Sequence, residues 1–215
     1  LVQEAAVVAE QMGAKVTVVH LSDYPMPFYD ADLEQKEGMP KNAKRLRQLM
    51  IESDAVIIAS PEYNHSISGV LKNALDWISR GEDGDSSFAA SKGKVFALMS
   101  ASPGRKGGKK ALVHLRDIIE DLKGTIIEEQ VSISHAYKYF GEKEREENPS
   151  IKKAIQQVLA TCKKRLLSTS ATGLEELDLP FVFDRFFACL EGAEVSSLPC
   201  FRVNRARINA VCTCF

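Results

Sequence analysis

No cysteine occurs in the first 161 residues of this 215-residue chain; Cys162, Cys189, Cys200, Cys212 and Cys214 all lie in the last quarter. That distribution excludes a small disulfide-stapled scaffold and suits a reducing compartment. Cys189, Cys200, Cys212 and Cys214 also lack the paired C-x-x-C spacing of a zinc site, so free thiols and no metal are expected. No apolar run approaches the length needed to cross a bilayer, and no basic region followed by an apolar segment and a small-residue cleavage site opens the chain. The expectation is a cytoplasmic protein with no membrane partner. An excess of one charge is missing too: 28 Lys and Arg face 29 Asp and Glu, a formal net charge of -1. Broad nucleic-acid binding and an acidic disordered chain are both disfavoured by that balance.

What is present is a chain with 45% hydrophobic residues, long enough for one domain with a sizeable core. Leu1, Ala5, Val8, Ala9 and Met12 recur at helical spacing, Gly13 stops the helix, and KVTVVHL reads as a strand. A Pro-rich loop from Ser22 to Pro40 leads to a helix over 41–52, then to the continuous apolar strand AVIIAS. A helix from Ser68 to Arg80, a strand over 94–100, a helix over 108–122 and a strand over about 125–133 follow. Pro149 opens a last helix with Ile151, Ile155, Val158, Leu159, Cys162 and Leu166 on one face. Helices alternating with buried apolar strands predict an α/β fold, a doubly wound parallel sheet covered on both faces. The domain is expected over 1–167. Residues 168–215 show no sustained period and read as a C-terminal tail of uncertain structure.

Ligands of an open parallel sheet sit beyond the carboxyl ends of its strands. Two loops there are distinctive. SPEYNHSISGVLKNALDW, residues 60–77, leaves a strand and enters a helix. Pro61, Asn64 and a capping Ser66 or Ser68 explain the turn; Glu62 and Tyr63 beside it, both expected to be exposed, remain unexplained by turn chemistry. SASPGRKGGKK, residues 100–110, is Gly-rich at a helix start, where Gly104, Gly107 and Gly108 allow close backbone approach. Its N–H groups there favour an anion or an electron-rich ring edge.

Together these loops resemble the NADPH-dependent FMN reductase family of flavodoxin-like proteins, which includes quinone, azo-dye and chromate reductases. The family pattern P-E-Y-N-x-S-x-P-G-x-L-K-N-A-x-D-W is matched by Pro61, Glu62, Tyr63, Asn64, Ser66, Gly69, Leu71, Lys72, Asn73, Ala74, Asp76 and Trp77, with Ser68 in place of Pro. The likeness runs from residue 1 to about 167. It implies that Pro61, Glu62, Tyr63 and Asn64 border the isoalloxazine ring of FMN with Ser66 nearby. Ser100, Ser102, Gly104, Gly107 and Gly108 belong to the loop on the ring's other side. Arg105 and Lys106 are candidates for the phosphates of NADPH or NADH. No catalytic side chain is expected, because the flavin carries the electron transfer to a small-molecule acceptor and the protein supplies position.

The same resemblance implies a first strand and a Gly/Ser-rich phosphate loop ahead of the first helix. Neither is present before Leu1, so KVTVVHL is expected to lack its normal neighbour, and the natural protein is expected to continue upstream. The tail is expected to take no part in the flavin site. His20, His114 and His135 read as structural or surface residues, while His65 lies inside the flavin loop. Homodimers or homotetramers are implied, with Trp77 and Ile78 partly at the contact. The rival reading is a non-catalytic flavodoxin-like module kept for assembly.

Overall fold

The computed structural model describes residues 1–82, 84, 86–140, 152–153, 155–162, 164 and 207–212, the last six by backbone alone. Helix α1 (Val2–Gln11) precedes strand β1 (Lys15–His20), and a turn of 3-10 helix covers Leu21–Asp23. Helices α2 (Ala31–Glu37) and α3 (Lys41–Ile51) lead to β2 (Ala55–Pro61), α4 (Gly69–Ile78), β3 (Val95–Ala101) and α5 (Lys109–Asp121). The short elements β4 (Thr125–Ile126), β5 (Val131–Ile133) and α6 (Tyr137–Phe140) follow, and β6 (Arg207–Cys212) comes last. Residues 155–162 are helical.

β2 and β3 are apolar at nearly every position because both of their faces are covered, and alternate residues enter different cores. Ala55, Ile57, Ala59, Val95, Ala97 and Met99 meet α1 and the helical residues Ile155, Val158, Leu159 and Cys162. Val56, Ile58, Phe96 and Leu98 meet Leu46 and Met50 of α3, Leu71 and Leu75 of α4, and Leu112, Leu115 and Ile119 of α5. This is the doubly wound arrangement that the alternating pattern predicts.

The sheet is parallel throughout, in the order β1-β6-β2-β3-β4, with β5 also on β3. Read by position, this is the flavodoxin-like order 2-1-3-4-5, but the place of the first strand is taken by the last. β6 pairs Lys15–His20 on one side and Ala55–Ala59 on the other, so that Ala210 lies between Val18 and Ile57. The expectation that KVTVVHL lacks a neighbour is therefore corrected, and residues 207–212 move from the tail into the sheet. The other tail residues, and Pro149 as a helix opener, lie outside the described residues.

Three further departures have local causes. α2 sits inside the Pro-rich loop with no fully buried residue, only Leu33 packing in part against the cluster of Met39, Ala43 and Trp77; Asp30 starts it by accepting from the N–H groups of Asp32 (2.8 Å) and Leu33 (3.0 Å). The single strand expected over 125–133 is two short ones, β4 beside Val95–Phe96 and β5 beside Met99–Ala101, separated by the polar stretch Glu128–Gln130. Trp77 and Ile78 are 0% and 3% exposed, so neither lies at a contact between copies. Trp77 instead donates to the Pro27 carbonyl at 2.8 Å and meets Tyr29 edge-on, while Asn73 holds the same loop through Pro27 O and Tyr29 N. Two residues of the α4 motif thus fasten the Pro-rich loop to the domain.

Candidate functional site

The parallel register brings Ser60 level with Ser100 and Pro61 level with Ala101, so the two loops singled out by sequence leave the sheet side by side. After β2, Tyr63 and Ser66 exchange two backbone hydrogen bonds, N to O at 3.0 Å and 2.9 Å, closing a two-residue turn. Asn64 (φ 49) and His65 (φ 66) both adopt the left-handed conformation such a turn demands. Asn tolerates it; His accepts strain. The turn pushes Tyr63, 53% exposed, to the rim. Buried Ile67 brings the chain back, and Ser68 caps α4 by accepting from the Leu71 N–H at 3.3 Å. Ser66, the other candidate cap, bonds through its hydroxyl to Nδ1 of His114 on α5 at 3.0 Å.

The loop after β3 is tied down from the opposite side. Ser102 donates its N–H to Ile133 O (3.0 Å), and its hydroxyl accepts from the Gly104 N–H (3.2 Å). Gly107 (φ +58) and Gly108 (φ +82) lie flush against the strand ends: a Cβ on Gly107 would stand 2.7 Å from Ser132 Oγ, and one on Gly108 1.8 Å from Ser100 Oγ. These two glycines thus have a packing reason of their own. Gly104 differs, with 3.6 Å of room on an exposed stretch that also carries Arg105 and Lys106. Ser100 is fully buried under Gly108, and its hydroxyl has no partner among the described residues.

At the start of α5 three of the N–H groups that a helix end leaves open are engaged within the protein: Lys109 N meets Lys106 O, and Lys110 N (3.1 Å) and Ala111 N (3.3 Å) both donate to Oε2 of Glu62. Gly108 has no side chain to cap the helix, so a carboxylate from the neighbouring loop does it, on the helix end that favours negative charge. The other carboxylate oxygen, Oε1, lies 3.4 Å from Nδ1 of His65. No sequence spacing signals this link, because its partners are 48 and 49 residues apart.

The structure therefore brings Pro61, Glu62, Tyr63, Asn64 and Ser66 together with Ser102, Gly104, Arg105, Lys106, Gly107 and Gly108 at one end of the sheet, with Ser100 beneath them. Exposed Arg105, Lys106, Lys109 and Lys110 make this rim cationic. Lys109 and Lys110 stand in the first helical turn, where cations oppose the helix dipole. A groove of about 210 Å³ that the sequence did not reveal opens beside α4, walled by Leu21, Tyr24, Met26, Val70 and Ala74. Among the described residues, no His, Cys, Asp or Glu cluster suits a metal ion, and no helix is long and apolar enough to cross a membrane.

Comparison with known proteins agrees with the motif. Residues 1–138 match the family model described as NADPH-dependent FMN reductase. A quinone reductase of Escherichia coli is 38% identical over 102 residues, 47% of this chain and 52% of that protein. An NAD(P)H-dependent FMN reductase of Pseudomonas aeruginosa is 36% identical over 135 residues, 62% of this chain and 70% of that protein. The chain thus spans about half the length of the first of these relatives. In fold it is similar to FerB, a flavoenzyme NAD(P)H:(acceptor) oxidoreductase from Paracoccus denitrificans, with a TM-score of 0.59, 24% identity, and coverage of 76% of this chain and 90% of that one.

Proposed function

The chain belongs to the NADPH-dependent FMN reductase family, and on that premise we propose that it binds FMN at the ends of β2 and β3 and reduces quinones or other small acceptors with NADPH or NADH. The observation that carries the reading is the adjacency of the 61–66 turn and the 102–106 loop, fixed by the Ser60–Ser100 register. Two loops leaving adjacent strands at the carboxyl end of a parallel sheet are where such folds bind a ligand.

The residues fit the ring end of the cofactor. Tyr63 offers an exposed aromatic face, Asn64 an amide at the tip of a tight turn, and Gly104 a backbone approach with nothing but Ser102 Oγ near its missing Cβ. The cations of residues 105, 106, 109 and 110 favour an anionic partner, and we assign Arg105 and Lys106 to the phosphates of the reduced nicotinamide. When bound, FMN supplies the hydride and electron chemistry; the chain binds, orients and leaves room for a second small molecule. None of the described loop side chains is asked to move a proton. We extend the proposal to a cytoplasmic homodimer or homotetramer.

Purified full chain titrated with FMN should quench flavin fluorescence and oxidise NADPH in the presence of a quinone. A chain that assembles into oligomers yet takes up no flavin and oxidises no NADPH would establish the scaffold alternative instead.

A further inference from the structure

We propose that Glu62 is a positioning residue that locks the two site loops at a fixed spacing and touches neither flavin nor acceptor. The inference rests on the flavin reading above and changes the role of a residue that the family motif places at the ring's border. Both carboxylate oxygens face protein. Oε2 takes the N–H groups of Lys110 and Ala111, Oε1 faces His65, and the side chain is 11% exposed, against 66% for His65. A carboxylate so engaged has little surface left for a ligand.

The geometry says why a glutamate is used. Gly108 is forced at the N-cap by its left-handed backbone and by Ser100 beneath it, so α5 cannot cap itself. The acceptor must come from outside the helix, and the β2 loop is the neighbouring element. Glu reaches two consecutive N–H groups of α5, whereas Asp is one methylene shorter. Ser66 then makes a second tie to His114, farther along the same helix. The two ties flank the Tyr63–Ser66 turn. The turn and the start of α5 therefore move as one body, while Tyr63 and Asn64 project from it and the Gly104–Lys106 stretch leads into the helix that Glu62 holds.

Full-length Glu62→Gln and Glu62→Ala separate this role from a contact. Gln keeps an acceptor oxygen at the same reach without the charge; Ala removes the acceptor. Amide hydrogen exchange at Lys110 and Ala111, read without flavin, should accelerate by about tenfold or more in Glu62→Ala, the factor that corresponds to losing one charge-assisted bond. In Glu62→Gln it should stay within about threefold of the parent, as a neutral hydrogen bond in place of a charged one implies. FMN affinity should follow the same order, weakened about tenfold or more in Ala and largely rescued in Gln. Unchanged exchange at Lys110 and Ala111 in Glu62→Ala overturns the clamp. Equal loss of FMN affinity in both variants, with exchange intact in Gln, overturns it in favour of a direct role for the charge. A parent chain that binds no FMN defeats the cofactor reading, and the exchange measurement still decides the clamp.

Discussion

Gly108 rests on Ser100 so closely that a Cβ added to the glycine would lie 1.8 Å from the serine hydroxyl and 2.6 Å from its Cβ. Gly108→Ala adds this overlap to a left-handed backbone at φ +82. The two costs together should destabilise the fold by roughly 2–4 kcal/mol. Gly104→Ala meets only Ser102 Oγ at 3.6 Å and should leave stability unchanged within about 0.5 kcal/mol. Thermal melts of the two variants test the packing assignment, and FMN titration of Gly104→Ala tests the approach assignment: weaker binding at unchanged melting temperature is expected.

His65 occupies the second position of a two-residue turn with φ 66, a site that favours glycine. Its side chain is 66% exposed, and its link to Glu62 is 3.4 Å long. Relief of the backbone strain should outweigh loss of that contact. His65→Gly is expected to raise stability by about 0.5–1 kcal/mol in chemical denaturation. A decrease would mean that the imidazole stabilises the turn more than its backbone strains it.

Ala210 pairs with Val18 on one side and Ile57 on the other. Proline there removes a ladder donor from an interior strand, so Ala210→Pro should cost about 3 kcal/mol or more. In the unmodified chain the amides of Arg207–Cys212 should exchange as slowly as those of Ile57–Ala59. Exchange of 207–212 at the rate of an unstructured peptide would remove β6 from the sheet. Slow exchange there would fix residues 207–212 in the sheet and not in a tail outside the domain.

Burial raises the Cys162 thiol from 9.0 to about 12. A raised folded-state value means that the protonated thiol is favoured by folding: its contribution to stability is complete below about pH 9 and is lost as pH rises through about 12. At pH 8, peptide-resolved alkylation should leave Cys162 unmodified in the native protein and modify it fully in denaturant. Rapid native labelling would contradict the burial of Cys162 in the core that it shares with Ile155, Val158 and Leu159.

β2 and β3 were legible because a strand buried on both faces reads as an unbroken apolar run, as AVIIAS and KVFALMS do. The site loops were legible because Pro61, Asn64 and the glycines carry turn chemistry in the residue types themselves. The interaction of Glu62 with α5 was not, since a cap supplied from another loop leaves no local pattern. β6 was hidden for a related reason. RINAVC is short, lies beyond a long aperiodic stretch, and gains its strand character from two partners far away in sequence. Trp77 was misread because a motif does not state which side of its helix faces the Pro-rich loop.

The position of β6 also sets the order in which the protein can be built. Among the described residues, the strand in the gap between β1 and β2 is the last of the six to be synthesised. While a ribosome adds roughly 5–20 residues per second, the nascent chain carries β1 and β2 with their facing edges unpaired for a time on the order of ten seconds. Unpaired edges of apolar strands invite association with other chains. Closing the gap then requires one of the most non-local pairings in the fold, a slow kind of step. Completion of this sheet is thus deferred until Arg207–Cys212 has emerged, and the interval before it is when the growing polypeptide most needs a chaperone.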